Sequence, residues 1–116
     1  MNPNALFIIE RDPRRSGRQA EAVRIAAGVG VWRKVEIAVY LRGAAVLLLG
    51  EEADALMDGE NYAQSLPILE ESGQPVFVEK GAAELGELGQ AALPFEEISD
   101  EQLAAMAAAS GSVLRY

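Results

Sequence analysis

Within its first 28 residues the chain narrows its choice of architecture more than anywhere else. Ala5 to Glu10 (ALFIIE) reads as a short buried strand. Arg11 to Ser16 (RDPRRS) is a turn carrying three arginines, and Gly17 to Gly28 (GRQAEAVRIAAG) reads as a helix. A strand that ends directly before a helix N-terminus builds a concave spot where backbone N–H groups and the helix dipole favour an anion. The chain also has no cysteine and no histidine. Thiolate nucleophiles, imidazole acid–base relays and thiol or imidazole metal ligation are closed to it.

The same alternation continues downstream. Ser16 is the expected N-cap of the first helix, with Gln19 three positions on in the S-x-x-Q form of a capping box. Ala20, Val23, Ala27 and Val31 follow helical spacing, and Arg33 and Lys34 suit the negative end of that helix's dipole. Val35 to Leu41 is apolar on both faces after Glu36, as a strand covered on both sides reads. Ala44 to Leu49 is a helical turn ending at Gly50, and Glu51 to Met57 a second helical piece. Asp58-Gly59 is turn chemistry. Glu60 to Ser72 carries Tyr62, Leu66 and Leu69 at helical spacing and stops at Gly73, with Pro67 expected to kink it or delay its start.

Pro75 to Glu79 is a third strand, Ala82 to Leu88 a weak helix, and Phe95 to Ile98 a fourth strand. Ser99 with Gln102 repeats the capping-box signature before an inner stripe of Leu103, Met106 and Ala107, and Gly111 ends that helix. Val113 to Tyr116 is a fifth strand. Strands alternating with helices in one small domain, residues 1–116, make a mostly parallel sheet with helices on both faces.

Charge excludes one class of partner. Net charge is −8, spread as +4 over residues 1–42 and −12 over residues 43–116. A chain that repels polyanions as a whole is not built to displace phosphate counterions, so no nucleic acid is expected. No membrane partner is expected either. The longest uncharged run, Gln102 to Leu114, is short of the roughly 20 apolar residues that a spanning helix needs. Met1 to Asn4 has no basic region like that of a signal peptide, which makes the cytoplasm the expected location.

Four blocks carry a resemblance: ALFIIERDPRRSGRQAEAVRIAAG, VEIAVYLRGAAVLLL, LPILEESGQPVFVEKG and ISDEQLAAMAAASGSVLRY. In this order of apolar runs and glycines the chain resembles the DsrE/DsrF-like family. These small sulfur-relay proteins include subunits of the tRNA-thiolation relay and of dissimilatory sulfur oxidation. The resemblance implies a three-layer α/β/α fold with a five-stranded parallel sheet. It also implies assembly into homo-oligomers (dimer, trimer or hexamer) or hetero-oligomers with related subunits. The family's chemistry rests on a persulfide-bearing cysteine in the loop after the strand matching Pro75 to Glu79. Here that loop reads Glu79-Lys80-Gly81-Ala82-Ala83. A carboxylate or an ammonium cannot accept sulfane sulfur, so no catalytic residue is carried over.

The first candidate site is Arg11, Arg14, Arg15, Ser16, Gly17 and Arg18, expected to hold a small anion. Strand ends beside helix N-termini are where open α/β sheets bind ligands, and arginine forks match phosphate, sulfate or carboxylate. Without a GxGxxG or GxxxxGK pattern a nucleotide is not indicated. The plain alternative is a solvated loop whose arginines pair with Glu10, Asp12 or an acidic neighbouring subunit. Tyr40, Arg42, Gly43, Glu79 and Lys80 are expected to line the same cleft, and their alternative is ordinary turn and core-edge packing. The acid pairs Glu51-Glu52, Glu70-Glu71 and Glu96-Glu97 read as solvated surface, because adjacent residues do not face one another. Trp32 and Tyr116 read as core or interface aromatics.

No metal and no cofactor is implied. The expectation is a non-catalytic binding or partner subunit, like the family's cysteine-free members. A cysteine-independent enzyme using the same cleft, or a purely structural partner of a sulfur-transfer protein, are the alternatives.

Overall fold

The computed structural model describes residues 3–32 and 35–116. Five strands, β1 (Ala5–Ile9), β2 (Ile37–Leu41), β3 (Val76–Glu79), β4 (Glu96–Ile98) and β5 (Ser112–Arg115), form one sheet in the order β4-β3-β2-β1-β5. Every pairing is parallel. Period-two alternation sorts the side chains onto two faces. Phe7, Ile9, Val39, Leu41, Val76 and Val78 join the larger core, while Leu6, Ile8, Ala38, Tyr40, Phe77 and Ile98 form the smaller one.

Helices α1 (Arg18–Val31) and α2 (Gly59–Glu71) cover the first face, with 3-10 turns at Gly43–Leu49, Ala53–Ala55 and Ala83–Glu87. Helix α3 (Asp100–Ala109) covers the second face through Leu103, Met106 and Ala107. The architecture is therefore the three-layer α/β/α sheet expected from the alternation of elements. Among the described residues no helix is long and apolar enough to cross a membrane.

Several local expectations are revised. Helix α1 is N-capped by Gly17, not Ser16, and no side chain caps it. Gln19 is fully buried and turns its amide onto the Ser16 carbonyl, so it is not free to close the box. A β-carbon at Gly17 would collide with the Asp58 carboxylate, which therefore sits against this helix start and supplies the negative charge the dipole favours. The helix runs past Gly28 to Val31. Gly30 is where glycine is needed, because the Gln74 side chain packs onto it and donates from Nε2 to the Gly30 carbonyl (3.1 Å). The basic pair Arg33 and Lys34 lies outside the described residues.

Pro67 sits inside α2, which starts at Gly59 and continues to Glu71. Pro67 and Ala63, whose carbonyl loses its helical donor there, are both on the exposed surface, where water can serve that carbonyl. The apolar run after β2 is a 3-10 helix ending at Gly50, and the expected piece from Glu51 shrinks to Ala53–Ala55. The second capping box does form: Ser99 Oγ accepts from Gln102 N–H (3.2 Å) and Gln102 Oε1 accepts from Ser99 N–H (2.8 Å).

Candidate functional site

The chain leaves β1, β2 and β3 toward the first face and leaves β4 toward α3 on the second. The carboxyl ends of β3 and β4 thus form a topological switch point, where open α/β sheets place crevices. One polar cluster occupies that corner. Arg42 follows β2 directly in an extended conformation, and Gly43 then turns the chain with φ +57°, a conformation that favours glycine.

Glu79, at the end of β3, accepts the Gly43 N–H through Oε1 (3.1 Å), and its Oε2 lies 3.8 Å from Arg42 Nε. Arg42 Nη2 reaches Asp100 Oδ1 in the first turn of α3 (2.5 Å), and the guanidinium carbon lies 5.8 Å from the centroid of the Tyr40 ring. One arginine therefore ties together the ends of β2 and β3 and the start of α3. Below it, Lys80 N–H donates to the Ile98 carbonyl (3.0 Å) and Gly81 N–H to Glu97 Oε1 (3.2 Å).

Tyr40 is fully buried, and among the described residues neither its hydroxyl nor the buried Arg42 Nε has a hydrogen-bond partner. Burial pushes the Tyr40 phenol up, and the adjacent guanidinium pulls it back. Tyr40, then Asp100 and Glu79, favour the charged form of Arg42. The arrangement sets one guanidinium between two carboxylates, and it contains neither thiol nor imidazole. Tyr40, Arg42, Gly43 and Glu79 thus meet as a group. Lys80 joins only through its backbone: among the described residues its ammonium forms no ion pair. Asp100 was missed in the sequence, where the Ser99 box drew attention to capping alone. An acid in the first turn of a helix that follows a strand at a sheet end was the available signal.

The arginine loop is arranged differently. Arg14 grips Asp12 with both arms of its fork (Nε–Oδ1 and Nη2–Oδ2, each 3.0 Å), and its N–H donates to Oδ1 (2.9 Å). Those hydrogen bonds hold the Asp12 carboxyl below its ordinary range. Arg15 Nε is 4.0 Å from the same carboxylate, and Ser16 Oγ accepts the Arg18 N–H (3.2 Å). Arg11, Arg15 and Arg18 are exposed. Arg14 borders a groove of about 240 Å³ whose walls include Leu47, Leu56, Glu52 and Glu87. That groove shares no residue with the Arg42 cluster, so the two sets expected in one cleft occupy two places.

The remaining readings resolve simply. All six residues of the acid pairs are exposed, and among the described residues no group of acids is placed to hold a metal ion. Tyr116 stacks on Phe7 (centroids 6.2 Å apart, planes 9° apart), whereas Trp32 is 73% exposed and belongs to no core.

Fold and site together define a small, wholly parallel α/β/α protein whose sheet carries an ion-paired corner at its carboxyl edge. No protein-family model matches the chain, and no curated protein matches it. Among solved structures, the crystal structure of the YchN protein from Escherichia coli is similar, with a TM-score of 0.79. The match covers 98% of this chain and 99% of that one at 19% sequence identity, which establishes a shared fold.

Proposed function

We propose that the chain is a DsrE/DsrF-like subunit that acts by association and not by sulfur transfer. The resemblance of its sequence blocks and the likeness to YchN over nearly the full length of both chains support the family reading. One observation carries the non-catalytic part. Where the family's resemblance calls for a reactive loop, Glu79 is bound to the Gly43 N–H and faces Arg42. That carboxylate is a strut between strand ends, and the chain has no thiol to take its place.

The expected partners are copies of this chain or related subunits. The small anion expected at the arginine loop would rest on Arg11, Arg15 and Arg18, because Arg14 is occupied by Asp12. The test is velocity sedimentation of the purified chain at micromolar concentration, alone and mixed with a cysteine-bearing family member. An assembly of two or more chains is expected in at least one arm. A monomer in both overturns the proposal.

A further inference from the structure

The sheet has two outer strands, and they are protected unequally. On β4, Glu96 and Glu97 are both exposed, so a second strand of the same kind would meet like charge. Strand β5 carries no acid of its own: its one charged side chain, Arg115, is exposed and lies 3.6 Å from Glu10 Oε1. Among the described residues it pairs with β1 alone, and Val113 is 43% exposed.

Its backbone has a definite inner and outer side. Ser112 N–H donates to the Asn4 carbonyl and Tyr116 N–H to the Ile8 carbonyl, while Tyr116 O accepts from Glu10 N–H, each at 2.8 Å. Strand alternation turns Leu114 the same way, toward β1. The N–H and C=O of Val113 and of Arg115 therefore point away from the sheet. The side chains alternate as well: Leu114 lies in register with Phe7 and packs against the larger core, and Val113 lies in register with Leu6 on the opposite face.

Charge narrows the choice of occupant. The chain carries −8, yet nothing from Gln102 to Leu114 is charged. At the end of β5 Arg115 offsets Glu10 (3.6 Å), so two copies meeting along this strand bring together a stretch without net charge.

We propose, resting on the associating reading above, that a second copy of this chain docks on the outer edge of β5. The two strands run antiparallel about a twofold axis at Leu114. Val113 N–H and C=O then meet the C=O and N–H of the partner's Arg115, and the reverse pair follows by symmetry. All four outward groups of each strand are used, as a self-complementary interface requires. Leu114 faces the partner's Leu114 in a pair without direct hydrogen bonds, where Cα atoms come within about 4.5 Å. The apolar layer of Phe7 and Leu114 passes from one copy into the next, and two five-stranded sheets become one.

The register gives the test. The chain has no cysteine, so Leu114→Cys places a lone thiol opposite its own symmetry mate, at a separation within disulfide reach. Mild oxidation should convert Leu114→Cys to a covalent dimer and leave Val113→Cys, which faces Arg115, largely unlinked. In sedimentation equilibrium, Val113→Pro removes an outward N–H without touching the β1 ladder. Val113→Lys puts a cation beside the partner's Arg115. Each should raise the dimer dissociation constant by about tenfold or more, with circular dichroism confirming the fold. If Val113→Pro does not fold, Val113→Lys and the cross-linking pair still decide.

Assembly of the parent chain with no selective cross-link and no effect of either variant overturns the β5 edge but spares association. Capture of a different strand-forming peptide at that edge, in place of the second copy, also overturns the proposal. A parent chain that stays monomeric to about 100 µM, an affinity limit of about 5.5 kcal/mol, sinks the second copy and self-association together. Hetero-association would then rest on the mixed arm of the earlier test.

Discussion

Each face of the sheet buries a tyrosine whose hydroxyl finds no hydrogen-bond partner among the described residues, and the two are treated differently. Tyr62, from α2, lies 1% exposed over the first face, near Gln19. Burial pushes its phenol up to about 12, with the Gln19 amide pulling the other way and Asp58 adding to the rise. Tyr40, on the second face, is equally buried, but Arg42 covers it and opposes the rise. On the first face the Tyr62 hydroxyl is enclosed, while its residue borders a groove of about 340 Å³ with Leu66, Pro67 and Ala92. The second opens to solvent at the strand ends through a guanidinium that is itself held by Glu79 and Asp100. The polar groups of the second face can exchange one charged neighbour for another.

The largest effect expected from this contrast is at high pH. The Tyr62 phenol titrates near 10 in the unfolded chain and near 12 in the folded one. Its contribution is fully present below pH 10 and is lost as pH rises through that window, by about 1.4 kcal/mol per pH unit. Urea denaturation at pH 9 and pH 11 should show the loss, and Tyr62→Phe should remove most of it. An unchanged slope in Tyr62→Phe would place the sensitivity elsewhere. Next in size is Glu79→Ala, which takes the acceptor from the Gly43 N–H and a partner from Arg42. It should cost about 1 kcal/mol in urea denaturation at neutral pH. A cost near zero would mean that water replaces the strut and that the corner is loose.

What was legible in the sequence follows the range of the forces involved. Strands covered on both faces read as apolar runs, and all five appear within two residues of their expected bounds. The Ser99 box was legible because its two residues are near in sequence and Gln102 is exposed, free to turn back onto the Ser99 N–H. The same spacing at Ser16 failed because Gln19 is drawn into the interior, a tertiary effect that no local pattern records. The Arg42–Asp100 pair spans 58 positions, and apolar periodicity carries no information on strand order. Arg14 with Asp12, two positions apart, was within reach of the sequence as the plain alternative to an anion site.

That pair gives the smallest effect and the sharpest question about the arginine loop. Among the described residues Arg14 forms no ion pair with a distant element as Arg42 does, so removing its acid should leave the fold intact. Asp12 is held below its ordinary range by Arg14, so its contribution to stability is present above about pH 4 and disappears as the carboxyl protonates below it. Asp12→Ala should flatten that acid limb and release the Arg14 fork toward solvent. In isothermal titration with inorganic phosphate at low salt, the variant should then bind about two- to fivefold more tightly than the parent. Adding Arg14→Ala to Asp12→Ala should return the affinity to the parent's value, because the gain comes from one guanidinium. If phosphate affinity does not move when Asp12 is removed, Arg14 is directed at the acidic groove of Glu52 and Glu87, and the loop's positive charge serves the molecule's own surface.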